Sequence, residues 1–224
     1  MMDFGKISKY EAARYMGIKG TPDGKVSELL DCLEPVVREA VKPCYVFRET
    51  TVEISNDGVQ FGCIDVPFTG NSILEHIRGC ERAVIFAATL SVEADKLIRK
   101  AAVTDTAEAL VIDSLCSAAI EQVCDTAEEE IFSQIKARFR TWRFSPGYGA
   151  LPLSLQEEFL RALNAQRRIG LTVTENNLLV PSKSVTAVIG ISERPMNKGD
   201  NGCTLCPMRQ SCAYANAGRR CVRR

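Results

Sequence analysis

The chain has no net charge to offer: 28 Lys and Arg balance 28 Asp and Glu over 224 residues. A global pull toward nucleic acid or an anionic membrane surface is therefore excluded. No apolar run approaches the roughly 20 residues that span a bilayer. The first residues, Met1-Met2-Asp3-Phe4-Gly5-Lys6, hold no apolar signal core. These absences together predict a cytoplasmic protein. In that compartment thiols stay reduced, so the ten cysteines are not read as disulfides. Six of them are scattered (Cys32, Cys44, Cys63, Cys80, Cys116, Cys124) and read as buried small hydrophobes.

What is present is ordinary globular material, 46% hydrophobic and 25% charged. Ser8-Lys9-Tyr10-Glu11 has the form of a capping box and opens a short helix ending at Gly17. After a turn over 18–24, apolar periodicity predicts a helix from Ser27 to Lys42, kinked or restarted at Pro35. β-branched and aromatic residues on either side of Asn56-Asp57-Gly58 predict a hairpin over 44–64. Asn71 or Ser72 caps a short helix ended by Gly79. Ala83–Leu90 is an unbroken apolar run of strand length, expected to be central and buried on both faces. Ser91 caps the next helix. Asp105-Thr106-Ala107-Glu108 starts the longest one, predicted to reach Phe139, with Glu128, Glu129 and Glu130 on a solvated face. Ser154-Leu155-Gln156-Glu157 reads as another capping box, and Val185–Ile191 as a closing strand. Strands and helices are interspersed without a βαβ repeat. The expected class is α+β with a mixed or antiparallel sheet, in a domain over 1–193 whose core spans 83–191.

Arg143-Phe144-Ser145-Pro146-Gly147-Tyr148-Gly149 interrupts the helical pattern. Taken alone it is a helix-ending turn with a solvated arginine. Yet it combines a planar fork of donors suited to a carboxylate, a flat aromatic, and residues that let backbone approach a ligand. Further on come Thr174-Glu175 and then Pro181-Ser182-Lys183-Ser184-Val185.

The two segments, R-x-x-P-G-Y and T-E followed after five residues by P-x-x-S-V, resemble the activation domain of cobalamin-dependent methionine synthase. The match is good over about residues 105–191. The first hundred residues look like the short free-standing members rather than the C-terminal module of the full-length enzyme. The resemblance implies an S-adenosylmethionine-binding domain that supports reductive remethylation of an oxidised cobalamin. By motif position, Arg143 would clamp the methionyl carboxylate. Ser145, Pro146 and Gly147 would shape and contact the ligand through the backbone, and Tyr148 would form a pocket wall. Glu121 or Asp113, on the long helix, could face the sulfonium. The chain departs from full-length members at Ala137, where they carry a carboxylate, and lacks the tyrosine that follows their last strand. The D-x-H-x-x-G motif of corrinoid-binding domains is missing too. The only histidine, His76, has Leu74 where that Asp should stand and reads as a helix residue. The chain is also too short for the substrate barrels. The cobalamin would thus reside on a separate corrinoid protein, with flavodoxin or ferredoxin as a possible electron donor.

Residues 194–224 differ in composition: seven Lys and Arg against Asp200 alone. Cys203, Cys206, Cys212 and Cys221 have metal-ligand spacing. Thiolates suit zinc or a [4Fe–4S] cluster, and the electron that reactivation needs favours the cluster. An unliganded basic tail is the remaining alternative. A competing view of the whole chain is a binding module whose zinc-knuckle-like tail contacts nucleic acid or an acidic partner.

Overall fold

A computed structural model describes residues 2–55, 58–195 and Gln210. The turn at Asn56-Asp57 and the four tail cysteines lie outside the described residues. Everything is built around one antiparallel sheet of order β2-β1-β3-β7-β4. Its strands are β1 (Cys44–Ser55), β2 (Gly58–Phe61), β3 (Arg82–Thr89), β4 (Phe139–Arg140) and β7 (Ser184–Ser192). A two-stranded hairpin pairs β5 (Thr172–Val173) with β6 (Leu179–Val180). The α+β, antiparallel expectation holds.

β3 is the middle strand, paired along its whole length with β1 on one side and β7 on the other. Antiparallel sheets commonly leave one face wet and so alternate apolar with polar residues. β3 does not alternate, because both faces are covered. Val84, Phe86 and Ala88 pack under α1 (Lys9–Tyr15), α2 (Gly24–Ala40), α4 (Val92–Thr104) and α5 (Thr106–Gln134). Ala83, Ile85 and Ala87 pack on the other side, against α3 (Asn71–Ile77), α6 (Gln156–Leu163), α7 (Ala165–Ile169) and the residues around Phe144.

Several element boundaries differ from the expectations for identifiable reasons. α2 begins three residues early, because Asp23 accepts from the Val26 amide at 2.9 Å and caps the helix there. It runs unbroken through Pro35. α3 has no side-chain cap at all; Ser72 accepts from the Ala150 amide at 3.1 Å instead. α5 is capped as predicted, with Asp105 accepting from the amides of Ala107 and Glu108. It ends at Gln134 and not at Phe139, since Phe139 pairs with Ser192 on β7 and strand pairing overrides the local helical period. Ser154 caps nothing: a single 3-10 turn over Leu153–Leu155 leads into α6. Asn164 then takes a left-handed conformation and separates α6 from α7. Of the six scattered cysteines, Cys80, Cys116 and Cys124 are buried. Cys44 and Cys63 are partly exposed and Cys32 is exposed, so the buried reading holds for half of them.

Candidate functional site: an arginine on a bulged sheet edge

β7 is the strand from which the site is built. Residues 139–144 run antiparallel along its outer edge. Phe139 faces Ser192 and Arg140 faces Ile191; the Thr141 amide then donates to the Gly190 carbonyl. At the far end Phe144 and Val188 exchange both backbone hydrogen bonds, at 2.9 and 2.8 Å. Between these pairs, Trp142 and Arg143 oppose Ile189 alone. That is a β-bulge, with two residues against one.

The bulge decides where the arginine goes. Side chains alternate faces along a strand, so one extra residue inverts the alternation beyond it. Arg140 lies on the α5 face, 3.2 Å from Glu128 and over the Phe132 ring. Thr141 and Trp142 both sit on the opposite face, against His76. Arg143 thereby returns to the α5 face and Phe144 to the other, where it is buried.

On α5, Glu121, Asp125 and Glu128 occupy positions i, i+4 and i+7, a single stripe of the helix. Arg143 spans it. Nη2 lies 2.7 Å from Asp125 and 3.4 Å from Glu121, and Nη1 lies 2.9 Å from Glu128. The Arg143 side chain is only 14% exposed, whereas Asp125 keeps 55% of its side chain in water. Burial alone would disfavour the charged guanidinium; Asp125 and Glu128 reverse this and hold its pKa above the usual arginine value. Burial pushes the Glu121 carboxyl above the ordinary glutamate range, and the attraction of Arg143 offsets it only in part. Glu128 is therefore not on a solvated face, and Glu130 accepts from the Tyr45 hydroxyl at 2.8 Å. A carboxylate stripe spaced i, i+4, i+7 was the available signal for this partnership, and the acidic run at 128–130 masked it.

The loop after Arg143 is held tightly. The Tyr148 amide donates to Ser145 O at 3.0 Å, Gly147 to Leu151 O at 2.8 Å, and Leu151 to Tyr148 O at 3.0 Å. Pro146 is buried. Gly149 has φ +55 and sits against Ser72 so closely that a Cβ would overlap its hydroxyl. Ser72 thus ties α3 to the loop. Tyr148 is 47% exposed, with its ring 6.1 Å from Trp142 and 6.0 Å from Phe144. Beneath them lies His76, stacked on Phe144 at 4.7 Å, with Nε2 2.8 Å from Thr141 Oγ1. Burial pushes its pKa down to about 4 against a partial lift from the Trp142 backbone. His76 is a helix residue, as expected, and it is also the floor of the loop.

Two sequence-predicted residues part company here. Glu121 joins Arg143. Asp113 lies eight residues earlier, about 12 Å along the helix, and pairs with Lys183 Nζ at 2.9 Å. Lys183 also donates to Ser117 Oγ at 2.8 Å. The second motif does architectural work. Thr174 Oγ1 accepts from the Leu178 amide at 3.1 Å and closes the β5–β6 hairpin. Ser184 donates its hydroxyl proton toward Pro181 O and lies 2.8 Å from Thr89 Oγ1, fastening the start of β7 to β3. Both motifs therefore meet on β7, one starting it and one bridging its middle. A recess lined by Arg48, Cys63, Asp65, Glu158 and Arg161 shares no residue with this loop. Both of its arginines are engaged, by Ala162 O and by Glu157 and Glu158. Among the described residues no cluster of His, Cys, Asp and Glu could hold a metal, and no helix is long and apolar enough to cross a membrane.

A central strand covered on both faces, with a bulged edge presenting an arginine loop, defines an α+β domain of one antiparallel sheet between two helical layers. The chain belongs to the family of vitamin B12 dependent methionine synthase activation domains, whose sequence pattern matches residues 84–196. That span starts within β3 and contains both motifs. Among solved structures, the crystal structure of the MetH reactivation domain bound to AdoHcy is similar in fold, with TM-score 0.56 and 14% identity. The likeness covers 82% of this chain and 73% of that one. No curated protein matches the chain.

Proposed function

We propose that this domain binds S-adenosylmethionine at the Arg143 loop and supports reductive remethylation of the corrinoid held by a separate methionine synthase or corrinoid methyltransferase. The observation that carries this reading is the bulge, which turns a planar cationic fork onto a stripe of carboxylates on one face of the sheet edge and Trp142 onto the other face, next to Tyr148. The ligand has matching parts: an α-carboxylate, two cationic centres and a flat base. Arg143 takes the carboxylate bidentately, which fixes orientation as well as adding energy. Asp125, exposed and therefore easily displaced, gives way. Glu121 serves the sulfonium in preference to Asp113, which is committed to Lys183. Ser145, Pro146 and Gly147 contribute shape and backbone contacts, and Tyr148 closes one side. The ligand supplies a methyl group as a cation equivalent and leaves as the thioether. This chain binds and orients; the corrinoid that accepts the methyl belongs to the partner, and its one-electron reduction needs an external donor such as flavodoxin or ferredoxin. Family membership and the AdoHcy bound to the structural neighbour support the reading.

Titration calorimetry of the full chain should show S-adenosylmethionine binding in the micromolar range. With a reduced corrinoid protein supplied, methyl transfer should depend on this chain. No binding in the calorimeter would refute the proposal.

Cys203, Cys206, Cys212 and Cys221 are assigned to a [4Fe–4S] cluster, with zinc as the alternative, because their spacing and the need for an electron point the same way. Anaerobically purified protein should be brown and contain iron and sulfide. Colourless protein with one equivalent of zinc would remove the redox role.

A further inference from the structure

The Arg143 constellation is short of positive charge. Three carboxylates, Glu121, Asp125 and Glu128, share Arg143, and Arg140 adds one more cation, bonded to Glu128. Arg14 acts on Glu121 from further off and is itself held by Glu11 at 2.7 Å. Two guanidinium charges against three carboxylates leave one negative charge in excess. Burial is the main reason the Glu121 carboxyl lies above its ordinary range; Arg143, 3.4 Å away, offsets this in part and the neighbouring Asp125 charge adds to it.

This excess matters once a ligand arrives. A ligand carboxylate on Arg143 displaces Asp125, and the released carboxylate remains beside the site, one helical turn from Glu121. The site then faces its occupant with two under-compensated acids. S-adenosylmethionine carries a carboxylate, an ammonium and a sulfonium, a net charge of +1. The thioether left after methyl transfer carries no net charge. We propose that the acidic stripe Glu121–Asp125 makes the Arg143 loop a charge filter, which retains the sulfonium ligand and lets go of the thioether it becomes. The filter rests on the reading that this loop binds S-adenosylmethionine. It gives the released Asp125 a use and supplies, from α5, the negative charge that Ala137 does not.

Equilibrium binding of three probes tests it: S-adenosylmethionine, S-adenosylhomocysteine, and sinefungin, which carries a protonated amine in place of the methylsulfonium. The wild-type chain should bind both charged probes about tenfold more tightly than the thioether, the scale of one favourable ion pair at a partly exposed site. Glu121→Gln and Asp125→Asn should each shrink that ratio, while thioether binding holds or tightens because Arg143 has lost a competitor. Glu128 still pairs with Arg143 in both variants, and unchanged melting temperatures would show that they fold. Equal wild-type affinity for all three probes overturns the filter and leaves the parent reading intact. An undiminished ratio in both variants overturns its assignment to these acids. Absence of any binding overturns both.

Discussion

Replacing Arg143 with alanine should abolish S-adenosylmethionine binding and cost about 3 kcal/mol of stability. The second effect follows from the cage rather than from the ligand. Arg143 is the shared partner of Glu121, Asp125 and Glu128, and its removal leaves three carboxylates on one stripe of α5 with only Arg140 to compensate. Breaking a buried ion pair from one side costs about 3–5 kcal/mol; the lower end applies because Asp125 keeps half its side chain in water. Arg143→Lys separates the two roles. A lysine restores charge without the fork, so it should recover most of the stability yet little of the binding. Denaturant unfolding and calorimetry on the two variants read the split directly. If Arg143→Lys binds ligand as the wild type does, the bidentate clamp is wrong. If Arg143→Ala unfolds at the wild-type midpoint, the cage contributes nothing.

Acid should destabilise the domain through His76 well before most carboxylates titrate. The folded pKa is about 4 against an ordinary value of 6.5. This base is depressed, so between those values the unfolded chain binds the proton and the native chain does not. The contribution is therefore fully present above pH 6.5, falls as pH drops toward 4, and is constant again below that. The difference amounts to about 3 kcal/mol over the window, at 1.36 kcal/mol per unit. The physical cause is burial between Phe144 and Trp142, where an imidazolium would have to shed its water. Unfolding midpoints at pH 6.5, 5.5 and 4.5 should decline steeply in the wild type and more gently in His76→Phe. A phenylalanine keeps the ring stack and has no proton to take up. Parallel declines would place the acid sensitivity elsewhere.

The sheet was legible because its residues are unambiguous. Ala83–Leu90 could only be a covered strand, and the turn residues around Gly58 could only close a hairpin. The ends of elements were less so, since distant partners set them. Nothing local marks Phe139 as strand; Ser192, more than fifty residues away, recruits it. Ser72 and Ser154 are good caps in isolation, but one accepts from the loop and the other precedes a 3-10 turn. At the site, Arg143 and Glu121 could be singled out from the sequence, and their meeting with Asp125 and Glu128 could not. Which helix stripe an arginine meets depends on the face it points to, and that depends on a bulge no propensity reveals. For the same reason Glu121 and Asp113 were indistinguishable on paper and are about two helical turns apart in space.

The bulge at Trp142–Arg143 has a consequence in terms of length. Removing Trp142 would set Arg143 opposite Ile189 and leave Phe144 opposite Val188, so each would keep the face it now has. The arginine cage would survive, and the contacts of the Trp142 ring with His76 and Tyr148 would go. The extra residue thus serves the aromatic side of the edge, and a single-codon deletion at Trp142 would uncouple the two faces that the bulge furnishes at once.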